Sequence, residues 1–207
     1  MSWTPITDLD ELAALVGAPT PQVRDKVRDQ LHPLDQAWLA ASPFCVLATA
    51  DADGRCDASP KGDPAGSLAH ALDTRTVVIA ERPGNRRVDG YRNILANPHV
   101  GLNFFIPGRG DTLRVNGRAT LVSDAEFFDD LAVRGKRPIL ALVVDVEEVF
   151  HHCAKAFLRS GLWEPETWAP EAVVPSRAKI AQQLDRKDMT LAELEEYYGE
   201  QYRNRLY

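Results

Sequence analysis

Apolar residues alternate with polar or small ones through the middle of the chain, and that two-residue period predicts strands. Phe44-Cys-Val-Leu-Ala-Thr-Ala50 is the first. Asp51-Ala-Asp-Gly54 is a hairpin turn, because Asp-Gly tolerates positive φ, and Arg55 to Ser59 returns as the paired strand. Thr76 to Ala80, Val100 to Ile106, Asp111 to Val122 and Ile139 to Val146 complete a set of six. Between them, Tyr91 to Pro98 reads as a short helix ending before proline, and Pro107-Gly-Arg-Gly110 as a turn. Ser123-Asp-Ala-Glu126 reads as the cap of a helix running through Ala132. Six strands at hairpin spacing with only short helices predict an antiparallel barrel, mainly β with helical additions, over a βαβ sheet.

Both ends change period. Residues 1–42 predict a helical arm: Thr7 caps a helix with Leu9, Leu12 and Val16 on one face and Gly17 as its stop. Thr20-Pro21 opens a second helix, with Val23, Val27 and Leu31 on its buried stripe. Residues 43–160 hold the barrel, and 161–207 form a helical extension packing on the barrel or on a partner subunit. In that extension Trp163, Pro165, Trp168 and Pro170 are irregular; helices then start near Ser176 and at Thr190-Leu-Ala-Glu193, where Leu191, Leu194 and Tyr198 share a face.

The 207 residues, 44% hydrophobic and 26% charged, suit one globular domain with helical arms. No apolar run approaches the ~20 residues of a bilayer span. Asp8, Asp10 and Glu11 precede any Lys or Arg, the wrong sign for a secretory signal, so a soluble cytoplasmic protein is expected. A net charge of -6 offers no general attraction to nucleic acid or anionic membranes. Cys45, Cys56 and Cys153 are scattered, with neither disulfide nor metal-ligand spacing. His151-His152-Cys153 reads as structural, because neighbouring histidines point differently and no second ligand pair exists.

Three polar islands interrupt the strands. Ser59-Pro-Lys-Gly-Asp63 ends a strand with a hydroxyl, an ammonium and a free backbone N–H, which suit a phosphate or a plain strand exit. Gly84-Asn-Arg-Arg87 lies just before the helix near Tyr91, an anion-friendly position that is otherwise a solvated basic turn. In Leu113-Arg-Val-Asn-Gly117 the alternation puts Arg114 and Asn116 on one face, and mid-strand Gly117 marks a close approach of a ligand or another backbone. Lys155 and Arg159 share a helical face and could complete a pocket walled by Trp163. The acidic total does not forbid an anionic ligand: a cation ~4 Å from a phosphate contributes about 4 kcal/mol before desolvation, and charges beyond ~8 Å are screened. Gly108-Arg-Gly110 is no dinucleotide fingerprint, and Walker, Gly-x-Ser-x-Gly and His-Glu-x-x-His motifs are absent. No catalytic acid, base or metal ligand can be named.

The order of these islands, with Arg92-Asn-Ile-Leu-Ala-Asn-Pro98 between them, resembles the FMN-binding split-barrel family that includes pyridoxamine 5'-phosphate oxidase. The likeness runs from about Phe44 to Val146, and His152-Cys-Ala-Lys155 with Arg159-Ser-Gly-Leu-Trp163 is similar to the tail of one branch. It implies a homodimer with FMN in each of two interface clefts, acting on a small-molecule substrate by hydride or electron transfer. It places Ser59, Lys61 and Gly62 at the flavin or ribityl chain, and Asn85, Arg86 and Arg87 at the phosphate. Arg114 and Asn116 would line the cleft, and Trp163 would border the ring. The Arg-Leu-His-Arg segment with which true pyridoxamine phosphate oxidases grip substrate is absent from Arg203-Asn-Arg-Leu-Tyr207, so vitamin B6 oxidation is not implied. A non-catalytic flavin carrier or sensor, an F420- or haem-binding relative, and a cofactor-free interaction module stay open as alternatives.

Overall fold

The computed structural model describes residues 1–204 and Leu206; within the terminal stretch 203–207, Arg205 and Tyr207 lie outside them. Three helices lead in: α1 (Leu9–Val16), α2 (Pro21–Arg24) and α3 (Pro33–Ala41). The sheet region holds β1 (Phe44–Ala50), β2 (Cys56–Gly62), β3 (Ala69–Ala71), β4 (Thr76–Glu81), α4 (Asp89–Ala96), β5 (His99–Phe105), β6 (Thr112–Val122) and β7 (Leu140–His152). Helices α5 (Lys155–Ser160), α6 (Arg177–Leu184), α7 (Leu191–Tyr197) and α8 (Glu200–Arg203) follow.

The β1–β2 hairpin forms as its turn chemistry demands. Asp51 Oδ1 accepts from the N–H groups of Asp53 (2.9 Å) and Arg55 (2.8 Å), and Gly54 takes the left-handed φ of 81°. Seven strands pair in the order β2-β1-β5-β6-β7-β4-β3, every neighbour antiparallel. The sheet curls until β2 and β4, with four strands between them in that order, meet through side chains. Lys61 Nζ lies 2.8 Å from Glu81 Oε2, and Arg82 Nε lies 2.6 Å from Asp63 Oδ2. This is a split barrel. Its interior is filled by alternate residues: Cys45 and Leu47 from β1, Leu102 and Phe104 from β5, Leu113 and Val115 from β6, Val144 from β7. Strand β4 is buried on both faces, since Val77 and Ile79 point into the barrel while Val78 and Ala80 pack under Phe128 and Leu131 outside it. Each large side chain so buried contributes roughly 1.5–3 kcal/mol.

Several expectations are corrected. α1 is capped by Asp8 instead of Thr7, and Leu9, Leu12 and Val16 are all exposed. The second helix stops at Arg24, leaving Val23 and Val27 exposed; Leu31 is buried but lies beyond it. A third helix, α3, begins with a capping box built from His32 and Asp35, a cap that the usual Ser, Thr, Asp and Asn preferences do not suggest. The helix expected from Ser123 to Ala132 is a single 3-10 turn, Glu126–Phe128. Phe128 and Leu131 need only that turn to reach their cluster, and Arg137 ties Asp124 (3.0 Å) and Asp129 (2.8 Å) around it. Strand β7 runs six residues past Val146. A bulge at Asn116/Gly117 absorbs the break in alternation at Glu147-Glu148 and returns Val149 to the core. Gly117 meets backbone there, not ligand: a Cβ would lie 2.0 Å from the Asp145 carbonyl oxygen. The seventh strand, β3, has only three residues and was not predicted. No helix among the described residues is long and apolar enough to cross a membrane.

α3 is bolted to the barrel by Asp35. Its buried carboxylate takes the Arg28 fork at 2.6 and 3.1 Å, the His32 N–H at 2.7 Å and His151 Nε2 at 3.1 Å. His151 also packs edge-on against Trp38 at 5.1 Å, so its role is structural. Burial alone would raise the Asp35 pKa, but Arg28, the His32 amide and His151 outweigh it and hold the carboxyl below its usual range. A lowered pKa gives stability that is complete above the unfolded value near ~3.9 and is lost as pH falls through the folded one. Asp35→Asn should therefore cost about 2 kcal/mol at neutral pH, a figure discounted for the partial exposure of Arg28. Urea unfolding at pH 7 and at pH 3 checks this: the gap from wild type should be wide at pH 7 and should narrow at pH 3.

Candidate functional site

Strand β2 alternates, with Asp57, Ser59 and Lys61 facing inward and Cys56, Ala58, Pro60 and Gly62 outward and exposed. Where β2 faces the start of α4, a cleft of about 330 Å³ opens. Ser59 and Lys61 form one wall, Asn85 and Arg87 another, with Glu81 and Tyr91 also lining it. Four of the predicted site residues thus share a cavity. Gly62 lines a smaller neighbouring hollow with Pro60, Glu81 and Arg82.

The cleft carries two cations, Lys61 and Arg87, and three carboxylates, Asp57, Glu81 and Asp89. Lys61 is locked: its Nζ donates to Glu81 and to the Tyr91 hydroxyl, each at 2.8 Å, and Tyr91 donates in turn to Glu81. The Lys61 side chain is 12% exposed, so this triad sits in the seam with little solvent screening. Burial, then the Glu81 carboxylate, push the Tyr91 phenol far up, and it stays protonated at any working pH. Cys45, paired across from Lys61, is pushed up to about 12 by burial and is no nucleophile.

Arg87 is the opposite case. Its side chain is 79% exposed, and its contact with Asp89 Oδ2 at 2.5 Å is a solvent-screened pair that an incoming anion can replace. The Asn85 side chain accepts from the Arg87 N–H at 2.9 Å, which fixes the loop. Arg86 holds that loop in the left-handed region at φ 63° and lies outside the cleft lining. No side chain caps α4. Instead Asp57 lies beside its first turn, and a Cβ on Gly90 would come within 2.9 Å of Asp57 Oδ2.

Arg114 and Asn116 are not in the cleft. They occupy the outer face of β6, where Asn116 Nδ2 donates to Glu148 at 2.8 Å and the Arg114 guanidinium lies 5.5 Å from the Phe150 ring. Beside them on β5, Asn103 Oδ1 is buried with no hydrogen-bond partner among the described residues. Trp163 lies on the far side of that face, stacked on Phe157 at 6.1 Å and donating to the Arg109 carbonyl at 2.8 Å. It ends an aromatic row that continues through Phe105 to Phe44. Lys155 and Arg159 are exposed and line no cavity described above.

Sequence reasoning missed Glu81, Tyr91, Asp57 and Asp89. Tyr91 and Ile94 are both buried on α4, so Tyr91 was legible as core. Glu81 lies one residue past the predicted end of its strand, and nothing local announces its partner on β2.

No curated protein matches this chain. Among solved structures, it is 25% identical to a putative pyridoxamine 5'-phosphate oxidase from Lactobacillus delbrueckii, over 59% of this chain and 95% of that one, with a TM-score of 0.46. It is 20% identical to HupZ of Group A Streptococcus, over 58% and 93%, with a TM-score of 0.46. PhzG of Burkholderia lata, solved with tetrahydrophenazine-1-carboxylic acid, is 14% identical over 66% and 85%, with a TM-score of 0.43. The family model described as pyridoxamine 5'-phosphate oxidase matches residues 31–153, which span the whole sheet and the cleft. By that match, the chain belongs to the pyridoxamine 5'-phosphate oxidase family.

Proposed function

We propose that this protein binds FMN at the β2–α4 cleft and works as an oxidoreductase on a small-molecule substrate. The observation that carries the reading is the convergence of Ser59, Lys61, Asn85 and Arg87, from two separate segments, on one cleft. The donor set fits a phosphomonoester. Arg87 exchanges Asp89 for the phosphate at little cost because that pair is screened, and Asn85 orients the loop that carries it. Lys61 keeps Glu81 and holds its charge at the seam, close to Ser59 and Gly62, where the flavin and ribityl chain would lie. Bound flavin supplies a reversible acceptor of hydride or electrons, so the protein needs no acid or base of its own for that step.

The second half of the site is proposed to come from another copy of the chain. Arg114 and Asn116 lie on the outer face of the sheet and Ser59 and Lys61 on the inner one, so one chain cannot bring them together. An orphaned Asn103 oxygen and the row Phe44, Phe105, Phe157, Trp163 on that face support a partner there. Three unpaired cysteines fit a reducing cytoplasm.

The purified protein should be yellow or should take up added FMN, and a colourless protein that binds none sinks the proposal. Arg87→Ala should weaken FMN roughly tenfold to a hundredfold, by fluorescence titration, while apo-protein melting hardly moves. Glu81→Gln removes a carboxylate from an anion site, so FMN should bind more tightly even as the seam loses about 1–2 kcal/mol in urea unfolding. Light scattering should give a mass near twice 22.9 kDa; a monomer that binds FMN with full affinity rules out the two-copy site.

A further inference from the structure

A ligand that reaches Lys61 meets Glu81 at the same time. Both residues line the cleft, and both also line the smaller hollow at Gly62. We propose that Glu81 lowers the reduction potential of the flavin by offsetting the Lys61 charge beside it. The proposal rests on the flavin reading of the cleft and adds to it a positioning residue, one that acts on the bound ring through Lys61.

Three observations carry it. First, the pair is close and shielded: Lys61 Nζ and Glu81 Oε2 lie 2.8 Å apart, with the two side chains 12% and 20% exposed. Water screens such a pair weakly, so a charge added nearby senses the sum of the two and not the cation alone. Second, the pair is held from another direction. Tyr91 donates to Glu81 and accepts from Lys61 at 2.8 Å, and the ammonium lies 4.6 Å from the centre of the Tyr91 ring. Turning to a ligand would cost Lys61 the carboxylate, the hydroxyl and the ring together. Third, the neighbouring charges have other commitments. Asp89 pairs with Arg87, Asp57 lies beside the first turn of α4, and Arg82 at the smaller hollow is matched by Asp63.

Two electrons and one proton taken up by the flavin add one negative charge at the ring, and nearby protein charges tune that step. Lys61 attracts the added charge and Glu81 repels it, so the carboxylate weakens binding of the reduced form relative to the oxidised one. The phosphate end is indifferent, because its charge is the same in both oxidation states. A charge brought by a second copy acts alike in wild type and variants and drops out of their comparison.

Reductive titration of the FMN-loaded protein with dithionite, against a reference dye, reads the potential directly. Glu81→Gln keeps an acceptor for Lys61 and Tyr91 and removes the charge. It should favour reduced over oxidised FMN about tenfold relative to wild type, an upward shift of about 30 mV for two electrons. Lys61→Met combined with Glu81→Gln removes both charges and should keep that ratio within about twofold of wild type. Asp89→Asn, which strips a carboxylate from Arg87, should raise affinity for both forms alike and move their ratio by less than about twofold. An unshifted potential in FMN-loaded Glu81→Gln overturns the proposal and leaves the flavin reading standing, as does an equal shift in the double variant or in Asp89→Asn. A protein that takes up no FMN overturns both.

Discussion

Strands β2 and β4 face each other across the barrel with no place beside one another in the hydrogen-bonded order, and two ion pairs bridge them. A closed barrel would join such strands by backbone pairing. Here β4 already pairs with β7 and β3, and side chains bridge it to the edge strand β2. Arg82, 12% exposed, binds the almost fully buried Asp63 and donates to the Leu131 carbonyl at 2.6 Å. That one residue joins the end of β2, the end of β4 and the segment covering β4 from outside. A pair so buried gains from low local dielectric but is costly if one partner is lost, so the seam has to be made whole. What remains open above it is the cleft.

The seam also decides which cation can serve a ligand. Lys61 looks like a phosphate ligand by its place at a strand end, but the fold has already given it Glu81 and Tyr91. Arg87 looks like a plain surface arginine and is the available one. Its guanidinium stands in water beside the half-buried Asp89, and at so exposed a cation exchange of one anion for another changes the energy little. Three carboxylates around two cations would repel an anion placed at random. They leave room for one placed against the outward guanidinium, because Asp57 is set beside the first turn of α4 and Glu81 against Lys61.

These distinctions mark what the chain discloses when read alone. Asp51-Ala-Asp-Gly54 revealed its hairpin because the turn is made by the residues that name it. The inward and outward faces of β6 followed from alternation, up to the bulge at Gly117, where the period fails and the strand runs on beneath two glutamates. Ser59, Lys61, Asn85 and Arg87 stood out because polar residues at strand ends are conspicuous. Glu81 and Asp57 did not, because in an acidic chain a lone carboxylate reads as surface. Their partners lie 20 or more residues away, and only the curl of the sheet brings them close. α3 was missed for a similar reason: its cap is a histidine, and Asp35, which anchors it, pairs with His151 at 116 residues' distance.

Alternation carries one further consequence. Inner and outer faces of a strand cannot exchange without shifting the whole register, so Arg114 and Asn116 are barred from the cleft of their own chain however the loops move. If both faces hold one ligand, the chain binds that ligand only as fast and as tightly as it finds a second copy of itself. Binding and assembly then share a single free energy: ligand stabilises the pair, and the pair raises affinity for ligand. The affinity of such a site depends on protein concentration, and dilution loosens it with every side chain in the cleft unchanged. A site completed within one barrel shows no such dependence, because every contact it needs is intramolecular.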